Sequence, residues 1–112
     1  MPLAVACAID NKESIIHDIT DKEKEHWEKM KFLAGPTPSI KPENIVFCAV
    51  RDYEQPEADL MKRYNIPNHT VADITLNGIK NTVKSIFEKL SHCKHVYVSF
   101  DVDSVDPLFI PG

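Results

Sequence analysis

Asp101 and Asp103 stand two residues apart, directly after the apolar run His95-Val96-Tyr97-Val98-Ser99-Phe100. Side chains alternate along a strand, so carboxylates at i and i+2 leave it on the same side. Two unpaired carboxylates held that close repel each other, and a divalent cation is the usual reason for placing them so. The spacing alone serves three chemistries: phosphoryl transfer with the first Asp as nucleophile, a grip on a metal and a diphosphate, and the sharing of carboxylates between two ions of a binuclear hydrolase. It also fits a structural pair, one carboxylate capping the turn and the other solvated. A second charged stretch, Arg51-Asp52-Tyr53-Glu54-Gln55-Pro56-Glu57, likewise follows an apolar run, Ile45-Val46-Phe47-Cys48-Ala49-Val50.

The elements that must carry these groups follow from periodicity. The run 45–50 is almost continuously apolar, as a strand buried on both faces would be, and 95–100 reads as a further strand. Between them, Pro56 to Tyr64 reads as a helix with Pro56 at its first position and Glu57 and Asp59 in its first turn. Residues 68–72 suggest a short strand. Ile79, Val83, Ile86, Phe87 and Leu90 keep a helical period that predicts one helix over 75–90. Strand and helix in alternation imply right-handed crossovers and a parallel sheet, whose ligands sit beyond the carboxyl ends of the strands. The two charged exits should therefore open onto one rim. Upstream, residues 1–9 read as a turn or two of helix. The charge-rich 18–33 reads as a solvated helix with a thin stripe of Trp27, Met30 and Leu33, capped by Asp18 or Thr20 and ended by Gly35-Pro36.

Composition sets the frame. The 112 residues, 43% hydrophobic and 27% charged, are ordinary for a soluble globular protein and enough for one domain, read here as a single partial domain over 1–112. A net charge of −4 argues against a nucleic-acid or membrane-surface role. No apolar run is long enough to span a bilayer, and residues 1–9 lack the basic leader of a signal peptide. Cys7, Cys48 and Cys93 have no metal-type spacing. Cys48 and Cys93 read as buried thiols of a reducing, cytoplasmic compartment. His17, His26, His69, His92 and His95 lie at no ligand spacing and read as ordinary surface or strand-edge histidines.

The residues around the paired carboxylates narrow the chemistry. Ser99-Phe100-Asp101-Val102-Asp103-Ser104-Val105-Asp106-Pro107, with Pro111-Gly112 following, resembles a metal-binding signature of the arginase family, the ureohydrolases. Met1-Pro2-Leu3-Ala4 is similar to that family's Gly-Met-Pro-Leu segment, and Lys41-Pro42-Glu43-Asn44-Ile45-Val46 to its lead into the following strand. Arg51-Asp52-x-Glu54-x-x-Glu57 resembles its substrate-contacting loop, with Glu54 in place of the usual Asp. The resemblance spans the chain except for residues 10–38. It implies a three-layer α/β/α sandwich with a mainly parallel sheet, of which this chain supplies about three strands as a central-to-C-terminal part.

The resemblance also implies roles. Asp101 would bridge two manganese ions and Asp103 would bind one of them. Glu54 and Glu57 would read the amino-acid end of arginine. Asp52 and Asp106 would support the two loops. The implied reaction is attack of a metal-activated hydroxide on the guanidinium carbon, turning arginine into ornithine and urea. The family's remaining ligands, a lone His and an Asp-x-His-x-Asp loop, have no counterpart in these residues, so the chain by itself is expected to be inactive. The alternatives are an agmatinase or a formiminoglutamase of the same family, a non-catalytic folding or interaction module, and, outside the family, a haloacid-dehalogenase-like phosphatase. The resemblance further implies a small guanidino substrate and a trimeric or hexameric full-length protein.

Overall fold

A computed structural model of the chain describes residues 2–15, 17–101 and 105. The described residues form five helices of at least one turn, α1 Pro2–Ala6, α2 Asp21–Lys31, α3 Gln55–Arg63, α4 Val71–Asn77 and α5 Ile79–Lys89, with two short strands, β1 Phe47–Cys48 and β2 Asn68–His69. Single 3-10 turns fall at Lys12–Ser14 and Pro42–Asn44. The chain divides into two compact units: Met1–Glu43 with Gln55–Asn65, and Asn44–Glu54 with Ile66–Gly112. No helix among the described residues is long and apolar enough to cross a membrane.

In the first unit, Thr20 sets the start of α2. Its hydroxyl accepts the Glu23 N–H while the Glu23 carboxylate accepts the Thr20 N–H at 2.8 Å, a reciprocal cap that satisfies two otherwise orphaned donors. These hydrogen bonds hold the Glu23 carboxyl below its ordinary range. The exposed face of α2 is laced by ion pairs at helical spacing, Lys24 with Asp21 and Lys29 with Glu25. Lys31 departs from this pattern, because its side chain is only 6% exposed.

The Lys31 ammonium lies 3.0 Å from Asp10 Oδ1 and 2.6 Å from Glu28 Oε1, and the indole N–H of Trp27 donates to the same Asp10 oxygen at 2.6 Å. One carboxylate thus joins the segment after α1 to two successive turns of α2. A hydrogen bond from Ile40 N–H to the Ala6 carbonyl, 3.1 Å, adds a second tie to α1. Arg63 at the end of α3 reaches Glu13 in the Lys12–Ser14 turn at 2.9 Å. Trp27 is half-buried, so its contribution is as much polar as apolar.

The second unit holds the sheet. β1 and β2 pair in parallel, Phe47 opposite Asn68 and Cys48 opposite His69. Phe47 N–H donates to the Pro67 carbonyl and Ala49 N–H to the His69 carbonyl, both at 2.8 Å. Thr70 then caps α4 as Thr20 caps α2, with Asp73 as the reciprocal carboxylate, held below its ordinary range by those hydrogen bonds. Replacing either Thr20 or Thr70 by alanine should lower stability by about 1 kcal/mol, measured by urea denaturation. A loss confined to a tenth or so of that value would place the cap energy elsewhere.

The α/β class and the parallel pairing agree with the sequence reading, and four details differ. The run 45–50, expected as a strand buried on both faces, pairs only at Phe47–Cys48 and leaves Cys48 exposed, because no layer covers that face among the described residues. The helix expected over 75–90 is two helices, because Gly78 adopts φ 79 and ends α4 by donating its N–H to the Ile74 carbonyl, while Thr70 starts that helix at Val71. This leaves only Asn68–His69 of the expected 68–72 strand. The expected strand 95–100 has no ladder among the described residues, and Tyr97, Val98 and Phe100 stay 89, 78 and 74% exposed. An apolar run can become a strand only where a neighbour supplies hydrogen bonds, and β1–β2 is the one sheet formed by the described residues.

The cysteines need a correction of the same kind. Cys48 is exposed and Cys93 half-buried; the buried thiol is Cys7. Cys48 lies on a two-stranded sheet, where a residue without a covering layer stays open. Burial of Cys7 pushes its thiol up from the ordinary value.

Candidate functional site

The site grows from the exit of β1. Ala49 has φ 58, a left-handed conformation that costs a non-glycine residue about 1 kcal/mol or more. The ladder bond from its N–H to the His69 carbonyl holds it there. The chain therefore turns sharply off the sheet and presents Arg51, Asp52, Tyr53 and Glu54 as an exposed loop before α3. Asn68 steadies the base of this loop. Its side-chain N–H donates to the Val50 carbonyl at 3.4 Å, while its Oδ1 is buried without a hydrogen-bond partner among the described residues.

The second exit follows the run 95–100. Asp101 is exposed at its end, and Val105 is half-buried a few residues on. The Arg51 guanidinium links the two exits, donating from Nη2 to the Val105 carbonyl at 3.2 Å. The contact spans 54 positions of sequence. It brings the loop that carries Asp52 and Glu54 against Val105, although 95–100 forms no strand of the sheet among the described residues.

The remaining expected residues fall as follows. Glu57 is half-buried in the first turn of α3, which belongs to the first unit, so its place relative to Asp101 is not described. Its carboxylate suits that position, where backbone N–H groups and the helix dipole favour negative charge. Asp103 and Asp106 lie outside the described residues. Two contributors escaped the sequence reading. In the sequence Arg51 reads only as part of the substrate-contacting loop, since nothing in a sequence announces a main-chain acceptor 54 residues away. Asn68 reads as part of a strand, and its acceptor, the Val50 carbonyl 18 positions away, carries no local sequence signal.

Manganese prefers hard oxygen donors with some imidazole, and a carboxylate such as Asp101 meets that preference in kind. Number is a separate matter. Among the described residues no group of three or more His, Cys, Asp or Glu side chains gathers as a cation site. Asp101 is the one expected ligand among the described residues.

The sequence model of the Arginase family matches residues 11–112. An arginase of Staphylococcus aureus (strain COL) is 36% identical over 98 residues, covering 78% of this chain and 32% of its own length. An arginase of Plasmodium falciparum is 41% identical over 76 residues, 65% of this chain and 18% of its own. Among solved structures, a 1.7 Å crystal structure of arginase from Bacillus subtilis superposes with a TM-score of 0.75 and 28% identity, covering 100% of this chain and 33% of that one. Helicobacter pylori arginase gives a TM-score of 0.78 at 26% identity, covering 96% of this chain and 34% of its own.

These are α/β proteins, and the described elements are a part of such a fold. The chain belongs to the arginase family. It spans about a third or less of the length of the relatives it matches.

Proposed function

We propose that the protein carrying this chain is a manganese-dependent ureohydrolase that hydrolyses arginine to ornithine and urea. The observation that carries this reading is the family match, which runs through residues 11–112 and so includes both charged exits. The Arg51–Val105 contact supports it, because a substrate loop and a metal-bearing turn must share one rim.

In this reading Asp101 and Asp103 are ligands of two manganese ions whose other ligands lie outside this sequence. The bound pair supplies Lewis-acid activation of water for the hydrolysis. The chain's own residues do the rest. Glu54 and Glu57 read the amino-acid end of the substrate, as carboxylates suit an α-ammonium group. Asp52 braces the loop between Arg51 and Glu54, and Asp106 braces the turn after the ligands. The segment alone does not catalyse. The complete protein is a cytoplasmic homo-oligomer of three or six chains, engaged in arginine metabolism and needing neither nucleic acid nor membrane.

Arginine and agmatine separate the possible substrates, since agmatine has no α-carboxylate. The manganese-loaded full-length protein should release urea from arginine well above agmatine. Glu57→Gln and Glu54→Gln should each raise KM for arginine by roughly tenfold with a smaller change in kcat, the pattern of lost ground-state binding. A protein that cleaves agmatine and leaves arginine untouched would move the assignment to agmatinase. Release of formamide from formiminoglutamate would move it to formiminoglutamase. No turnover of any of the three would favour the non-catalytic reading.

A further inference from the structure

We infer that the Asn77-Gly78 junction between α4 and α5 is a site of spontaneous deamidation, where the Asn77 amide is lost as ammonia and aspartate and isoaspartate take its place. Asn77 is the one asparagine of the sequence followed by glycine. In the reaction the Gly78 backbone nitrogen attacks Asn77 Cγ and a new N–Cγ bond closes a succinimide ring. The Cγ–NH2 bond breaks, and the amide nitrogen leaves as ammonia with the proton that Gly78 gave up. Water then opens the ring at either carbonyl. One opening gives aspartate; the other reroutes the main chain through Cβ and Cγ and gives isoaspartate. Water is the only co-reactant.

The junction leaves this route open. Asn77 and Gly78 are both exposed, so water and base reach them. Gly78 has no Cβ to screen its nitrogen, and even a Cβ built there would meet no atom within 4 Å. The attacking peptide is anchored on the α5 side. The Asn77 carbonyl accepts from the Asn81 side chain at 2.8 Å, and the Gly78 carbonyl accepts from the Thr82 N–H and hydroxyl, each at 3.2 Å. On the α4 side the Gly78 N–H donates to the Ile74 carbonyl at 2.9 Å, and this bond must open before the nitrogen can attack. The last turn of α4 resists little, because the helix has seven residues with none buried, and Leu76 is 84% exposed.

Either product weakens the junction. Isoaspartate adds a methylene to the main chain before Gly78 and carries its N–H away from Ile74. Aspartate places a negative charge at the C-terminal end of α4, where the helix dipole disfavours it.

The test is a timed incubation of the full-length protein in mildly alkaline buffer, followed by trypsin and mass spectrometry of the peptide Tyr64–Lys80. That peptide also carries Asn65 and Asn68, which precede Ile66 and His69 and serve as internal controls. Conversion of amide to acid should gather at Asn77, should yield isoaspartate, and should quicken as pH rises, since the attacking nitrogen must lose its proton. It should run no more than about tenfold slower than in a synthetic Tyr64–Lys80 peptide, because a helix end opens at a free energy near zero and not at the global value. Asn77→Gln, whose extra methylene disfavours ring closure, should abolish conversion at this position. Gly78→Ala should slow it in the protein and in the peptide alike, and the peptide separates this chemical effect from any change in folding. An Asn77 that stays intact in the protein while the synthetic peptide converts would overturn the inference. So would conversion spread evenly over Asn65, Asn68 and Asn77, or a product without isoaspartate.

Discussion

Replacing Asp101 by alanine in the full-length protein should abolish the manganese-dependent urea release proposed for it, with kcat/KM for arginine falling by more than a hundredfold. A loss of about ten- to a hundredfold is what removing an outer partner of a ligand already brings, so the ligand itself must exceed it. On the proposed function the effect falls on kcat/KM, because the reaction would depend on a cation that this carboxylate would help to hold. Asp101→Glu keeps the charge and lengthens the arm, and should retain a fraction of the activity at high Mn2+. Asp101→Asn keeps the shape and loses the charge, and should behave like alanine. Steady-state assays across a Mn2+ series read all three. An Asp101→Ala enzyme within about tenfold of native, whose loss extra Mn2+ does not restore, would assign Asp101 the role of a turn cap.

The second large effect concerns stability, and its seat is Asp10. This carboxylate accepts from the Trp27 indole and faces the ammonium of Lys31, whose side chain is only 6% exposed. Removing one partner of a buried pair leaves the other charge uncompensated, which costs far more than an exposed pair is worth. Asp10→Ala should therefore lower unfolding free energy by about 2–4 kcal/mol, below the fully buried range because Asp10 is itself partly exposed and Glu28 still faces Lys31. Asp10→Asn keeps an acceptor for the indole and should lose less. Urea denaturation measures both. A loss under about 0.5 kcal/mol would class the cluster with solvated surface pairs.

The same cluster gives a pH dependence with two arms. The Trp27 hydrogen bond, followed by the Lys31 ammonium, holds the Asp10 carboxyl below its ordinary 3.8, although partial burial opposes them. A depressed carboxyl stabilises the fold above pH 3.8, and that contribution is lost as pH falls through the lower folded value. Burial is the largest single influence on Lys31 and pulls it down, but hydrogen bonds and charge from Glu28 and Asp10 together carry it above 10.5. A raised lysine stabilises the fold below pH 10.5 and loses that contribution as pH rises through the folded value. In Asp10→Ala the acid arm should shrink and the alkaline arm weaken.

What was legible in the sequence, and what was not, divides along physical lines. Caps are local, so Thr20 could be named as a candidate from four residues, and the structure forms its reciprocal bond with Glu23. Helical period is local too, and α5 follows it, yet Ile79, Val83 and Phe87 remain 60, 40 and 68% exposed. Period reveals which face a helix could bury, and is silent on what would cover it. The same holds for 95–100, whose apolar residues announce a strand but cannot supply its neighbours. Gly78 was missed as a break because a glycine within a periodic stretch is often tolerated, and only its φ decides.

At the candidate site, residue types and their order carried the family resemblance, and the family match bears that out. The contact between exits was expected only as a shared rim. The residue that makes it, Arg51, reaches a backbone carbonyl, a partner that any sequence could offer. The buried Lys31 was hidden for a related reason. It ends a charged run that otherwise reads, correctly, as solvated, and its partner Asp10 lies 21 positions away.

The most direct test is metal analysis of the full-length protein after equilibration with Mn2+ and gel filtration, native beside Asp101→Ala. Two ions per native chain, and less than one per chain once that shared carboxylate is gone, is the result predicted. An alanine variant that still carries two ions, or a native protein that carries none, would contradict it.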